Sequence, residues 1–243
     1  MKWIFSSSIT IALLFIACQN SAPSGELSGN SSIKTGAWKM QMELKKGKIL
    51  PFEFDLHEEI GALKVEIFNA EELIEVDEVE QRNDSLFIQL PIFESVFKLK
   101  VTSDTSLSGV WVNYYQSPNY SIPVTATYGK STRFSNIESS FSEDFGGKYE
   151  VVFSPKSEDQ SNAIGLFEQE GNAVTGTFAT ETGDYRHLAG NASGKKLLLS
   201  TFDGSHAFLF EAEQTDSGLV GVFYSGTHWK ENWVAQKNNS AEL

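Results

Sequence analysis

The chain has 243 residues with 32 acidic against 19 basic side chains, a formal charge of −13, and so acidic a surface would be repelled by the phosphates of a nucleic acid. Hydrophobic residues at 40%, with 18 phenylalanines among them, supply enough apolar material for one or two folded units and exclude a disordered chain. The single cysteine excludes an intramolecular disulfide, a CxxC redox pair and a multi-cysteine zinc site.

In chain order, Lys2 precedes a mostly apolar run from Trp3 to Ala17, too short and too serine-interrupted for a membrane span but suited to a secretory signal over residues 1–17. The run ends in Leu14-Phe15-Ile16-Ala17-Cys18, which resembles a bacterial lipoprotein box. That resemblance implies a lipid on Cys18 and an exported protein anchored to a membrane, facing the periplasm or the cell surface. Residues 18–35, rich in Ser, Gly, Asn and Pro, read as a flexible tether.

Beyond the tether the pattern is one of short strands and turns. Trp38 to Leu44, Ser85 to Leu90 and Val96 to Lys100 alternate apolar and polar residues, as half-buried antiparallel strands do. Lys46-Gly47-Lys48, Arg82-Asn83-Asp84, Glu170-Gly171-Asn172, Ser193-Gly194-Lys195 and Asp216-Ser217-Gly218 are turn signals. Glu71 to Glu80 has a helical composition, yet Ile74, Val76 and Val79 suit a strand equally well, and the expected class is all-β. A repeat with a period near 111 residues joins the two halves. Gly36-Ala37-Trp38 recurs as Gly147-Lys148-Tyr149, Phe68 to Glu71 as Phe178 to Glu181, Asp84 to Ile88 as Lys195 to Leu199, Phe93 to Phe97 as Phe202 to Phe208, and Leu107 to Trp111 as Leu219 to Phe223. The expected layout is a first β unit over 36–129, a connection over 130–146, a second unit over 147–238 and a tail or linker start over 239–243. Two half-barrels closing into one lipocalin-like barrel, or two small barrels or sandwiches, both satisfy the repeat, and closure would hide the strand edges.

Two groups of residues invite chemistry. Asp203, Ser205 and His206 carry the residue types of a hydrolase triad, but neighbouring residues in extended chain point to opposite faces, and Asp-Gly between apolar runs is a hairpin signal. They read as a turn, and no catalytic residue is assigned. Glu181, Asp184 and Arg186, with Asp203 and His206, are the candidates for a binding rim at a barrel mouth. His57, His187, His206 and His228 fall on no metal-binding spacing, so neither a metal nor another cofactor is expected.

Asn162 to Gln169 with Val174 to Gly190, and Leu199 to Phe210, resemble the region that precedes the thioredoxin domain in TlpA-like thiol-disulfide oxidoreductase lipoproteins of Bacteroidota. The resemblance covers most of Gly36 to Leu243 and implies an accessory β region working with a thioredoxin-like redox domain or protein. With no CxxC in the chain, it carries over no redox residue. The expected function is therefore a lipid-anchored, non-catalytic β domain of the cell envelope. The alternatives are a lipocalin-like carrier of a small ligand and, third, a stand-alone hydrolase.

Overall fold

A computed structural model describes residues 32–135 and 142–243; the signal segment, Cys18 and most of the tether lie outside the described residues. The fold is all-β and consists of two barrels. The first is formed by β1 (Gly36–Glu43), β2 (Ile49–Glu59), β3 (Ala62–Asn69), β4 (Glu72–Val76), β5 (Val79–Arg82), β6 (Ser85–Leu90), β7 (Ser95–Ser103), β8 (Ser106–Asn113) and β9 (Ser121–Tyr128). The second contains β10 (Gly147–Phe153), β11 (Ser161–Glu170), β12 (Ala173–Thr180), the two-residue β13 (Gly183–Asp184), β14 (Leu188–Ser193), β15 (Lys196–Phe202), β16 (Ala207–Thr215), β17 (Gly218–Ser225) and β18 (Trp229–Lys237).

Both sheets are antiparallel meanders whose first strand pairs with the last, β1 with β9 and β10 with β18. The stretch of helical composition forms β4 and β5, because Ile74, Val76 and Val79 alternate with acids and give the sheet an apolar inner face. In the second barrel β14 pairs with both β12 and β15, and the wall closes completely. In the first, β4 pairs with β3 and β5 with β6, leaving a seam where the chain passes from one to the other. Lys64 Nζ of β3 reaches Asp77 Oδ1, in the segment that leaves β4, at 3.1 Å.

Strand pairing makes the repeat explicit. Gly36 and Gly147 open their barrels at φ 117° and 122°, a left-handed conformation that favours glycine. Trp38 pairs with Phe54, which pairs with Ile67; Tyr149 pairs with Gly165, which pairs with Phe178. The counterpart of Phe178 is therefore Ile67, not Phe68. Side chains alternate faces along a strand, so the one-residue slip in the sequence alignment exchanges the inner Ile67, 1% exposed, for the outer Phe68. Bulk is redistributed within the row: Gly165 has no side chain where Phe54 has a ring, and Phe178 is larger than Ile67. By the same ladders Phe97, between Ile88 and Trp111, corresponds to Phe210, between Leu199 and Phe223. The connections before these strands, 91–94 and 203–206, each hold four residues.

Large side chains fill the interior of both barrels. Trp38, Phe52, Phe54, Phe97 and Trp111 fill the first, and Phe153, Phe178, Phe210, Phe223 and Trp233 fill the second. The first core also takes Phe202, Ala207, Leu209 and Tyr224 from strands of the second barrel. Phe202 is fully buried and stacks on Phe52 at a centroid distance of 4.8 Å, with Phe97 and Trp111 both at 5.2 Å. The second barrel thus completes the hydrophobic core of the first while keeping a separate core of its own.

Candidate functional site

The polar groups singled out from the sequence converge where the barrels meet. Asp203 to His206 is the connection between β15 and β16, and it is a turn. Asp203 Oδ1 accepts the backbone N–H groups of Ser205 at 2.9 Å and His206 at 2.7 Å, and Gly204 sits at φ 93°. A side chain at Gly204 would collide with the Phe93 ring, on the equivalent turn of the first barrel. Ser95 Oγ donates to Gly204 C=O at 2.6 Å, and Asn113 Nδ2 donates to Ser205 C=O at 2.9 Å. The turns of the two repeats are therefore packed and hydrogen-bonded against each other.

Part of a catalytic geometry is present here. His206 Nδ1 lies 2.9 Å from Asp203 Oδ2, with the carboxylate buried and the imidazole half-exposed. Ser205 takes part through its backbone, and among the described residues no hydroxyl is hydrogen-bonded to His206. An oriented base without a nucleophile does not make an acyl-transfer site. Burial pushes the Asp203 carboxyl up, but the His206 imidazole and the backbone N–H groups of His206 and Ser205 together outweigh it and hold the carboxyl below its ordinary range.

That depression has a consequence for stability. A carboxyl whose folded pKa is lowered stabilises the fold fully above its unfolded value, ~3.9, and the stabilisation is lost as pH falls through the lower folded value. Asp203→Asn is expected to be less stable than the wild type at pH 7 by about 1–3 kcal/mol, since a buried acceptor of several hydrogen bonds is altered. The gap should close as pH falls through the lowered folded value, where the wild-type carboxyl is protonated as well. Urea midpoints of the two proteins from pH 7 to pH 2 measure this, and a gap that stays constant would refute the assignment.

Arg186 lies beside the turn, in the connection between β13 and β14, at φ 64°. Its N–H donates to Asp184 Oδ1 at 3.0 Å, its Nε is 3.7 Å from Asp203 Oδ2, and its Nη2 donates to Glu72 Oε1 of the first barrel. Arg186, Asp203 and His206 thus form one cluster, with Asp184 attached through the backbone. Glu181 stands exposed on the turn before β13, and no hydrogen bond or ion pair among the described residues joins it to the cluster. Beside the cluster is an open cleft of about 570 Å³, whose lining includes Glu71, Lys148, Leu166, Thr177, Arg186 and His187. Among the described residues no three His, Cys, Asp or Glu side chains are grouped to hold a metal ion.

The sequence reading missed the residues that fasten this region. Arg133, from the connection between the barrels, is buried and donates to Glu53 Oε2 at 2.6 Å, Ser200 Oγ at 2.9 Å, Asn69 Oδ1 at 3.1 Å and the carbonyls of Phe68 and Ser200. Ser200 Oγ in turn donates to Pro51 C=O at 2.7 Å. Asn69, fully buried, donates to Phe202 C=O at 2.8 Å and accepts from Phe202 N–H at 3.2 Å. The only local signal for Arg133 is a basic residue in a polar stretch. Its acceptors are 64 to 80 positions away in the chain.

Comparison of the chain with protein-family models, with curated proteins and with solved structures returned no match.

Proposed function

We propose that the protein is an exported, lipid-anchored and non-catalytic two-barrel module of the cell envelope that serves a thioredoxin-like thiol-disulfide oxidoreductase, with Cys18 as the lipid-bearing residue. One observation carries the non-catalytic part. The chemistry-bearing side chains at the junction, Asp203, Arg186, Arg133 and Asn69, are bonded to the opposite barrel, to one another or to their own turn, so their partners are structural. The chain's one cysteine carries no redox pair, so the thiol chemistry would reside in the partner.

A photo-crosslinking residue at His187, on the exposed cleft, tests this in cells of origin. Capture of a protein carrying a CxxC thioredoxin domain, together with loss of membrane association in Cys18→Ala, is the expected result. Capture that never includes such a domain would overturn the redox association. A second reading, a carrier of a small ligand, is supported by the closed wall and aromatic interior of the second barrel.

A further inference from the structure

The two barrel mouths are stoppered in different ways. The first is filled by Phe202, which belongs to β15, a strand paired on both sides, and is wholly buried. The second is filled by Tyr185, which belongs to no wall strand and lies in the connection between β13 and β14. The Tyr185 ring sits among Phe153 at 5.5 Å, Phe178 at 6.2 Å, Phe208 at 5.6 Å, Phe210 at 5.4 Å and Phe223 at 5.1 Å. Its backbone N–H bonds Phe178 C=O at 3.0 Å, and the pairing of β12 with β14 begins only at Gly176 and Leu188. Tyr185 is therefore held to the wall by that backbone bond and the two-residue β13, outside the β12–β14 ladder.

We propose that the second barrel is a latent binding pocket, with Tyr185 as its displaceable plug and Arg186 as the latch. The ligand class is a small, neutral, flat apolar molecule with one hydroxyl-type group, matching the side chain it replaces. Five aromatic rings surround the space left by Tyr185, with the Glu231 carboxylate acting on its hydroxyl end, and a dry apolar cavity of ring size takes up benzene-like molecules. The latch follows from the rim. Arg186 holds the segment to Glu72 and Asp203, is itself half-exposed, and sits in a left-handed conformation that non-glycine residues rarely adopt. His206 stacks on Phe208 at 4.9 Å, and Phe208 touches Tyr185, so the Asp203–His206 turn forms the collar of the mouth. This inference extends the small-ligand reading and is independent of any redox partner; failure of the binding test below leaves the crosslinking result untouched.

The test is titration of 4-methylphenol into the full chain, read by ligand-observed NMR and thermal shift. Tyr185→Ala is expected to bind one equivalent saturably with a rise in Tm, and Overhauser contacts should place the probe on the Phe153 and Phe223 rings. Arg186→Gln is expected to bind at least threefold more tightly than wild type, with the difference narrowing in 1 M salt as the latch is screened in the wild type. Equal affinity of wild type and Arg186→Gln would overturn the latch and plug. A folded Tyr185→Ala without saturable binding would overturn the pocket. If Tyr185→Ala does not fold, the comparison of wild type with Arg186→Gln decides alone.

Discussion

Arg133→Ala is expected to lose about 3–5 kcal/mol of folding free energy, the range for removing one partner of a buried ion pair. The guanidinium is buried and meets five acceptors on both barrels, and alanine takes one donor from each of Asn69 Oδ1, Ser200 Oγ and the Phe68 and Ser200 carbonyls and removes the ion partner of Glu53. For a chain of this size the loss corresponds to a fall in Tm of roughly 10 °C. Arg133→Lys keeps the charge but not the planar fork, and is expected to retain less than half of the stabilisation. Urea unfolding measures both. A loss below 1 kcal/mol for alanine would mean that water replaces the guanidinium and that the network is not what joins the barrels.

Phe202→Ala should cost about 3–5 kcal/mol, the usual penalty for emptying a buried phenylalanine site. The informative part is where the damage falls. Phe202 is a residue of the second barrel whose ring contacts Phe52, Phe97 and Trp111 of the first. Amide-exchange protection is therefore expected to drop in β2, β7 and β8, with β10 to β12 little affected. Phe178→Ala should do the reverse, because its ring contacts Phe153, Phe167, Phe210 and Trp233 within the second barrel. Protection lost only around β15 and β16 after Phe202→Ala would contradict its place in the core of the first barrel. Together the two variants separate the polar and the apolar fastening of one junction.

The two repeats differ at the junction. Asn69 at the end of β3 bonds the Phe202 backbone, while the equivalent end of β12 leads into β13 and the Tyr185 plug. One copy came to receive a ring from its neighbour and the other to supply its own. Barrel closure followed the same division, with the paired wall in the copy that is stoppered by its own loop.

Much of this architecture was already legible in local pattern. Alternation in segments such as Trp38 to Leu44 reports a half-buried strand because side chains on a pleated backbone point to opposite faces with a period of two. Asp203-Gly204 reports a turn because the aspartate bonds the next backbone amides and glycine accepts φ 93°. The recurrence of Gly-aromatic starts reports duplication, since each barrel needs the same backbone freedom at its first residue. Register was harder: Phe68 and Ile67 differ by one position, both are apolar, and only hydrogen-bonded pairing states which one faces inward.

The site lay beyond local pattern altogether. Glu72 and Arg186, Arg133 and Asn69, and Ser95 and Gly204 are pairs separated by 114, 64 and 109 residues, and nothing in the sequence near one member specifies the other. A buried charge is tolerated only where acceptors surround it, so the position of Arg133 follows from the approach of two finished barrels. The amino-acid sequence by itself determined strands, turns and duplication, because these rest on backbone conformation and side-chain alternation over a few residues. Tertiary structure alone decided that there are two barrels rather than one, that Phe202 completes the neighbour's core, and that the Asp203–His206 turn is a joint, because each depends on which surfaces are left to pack once the strands have closed.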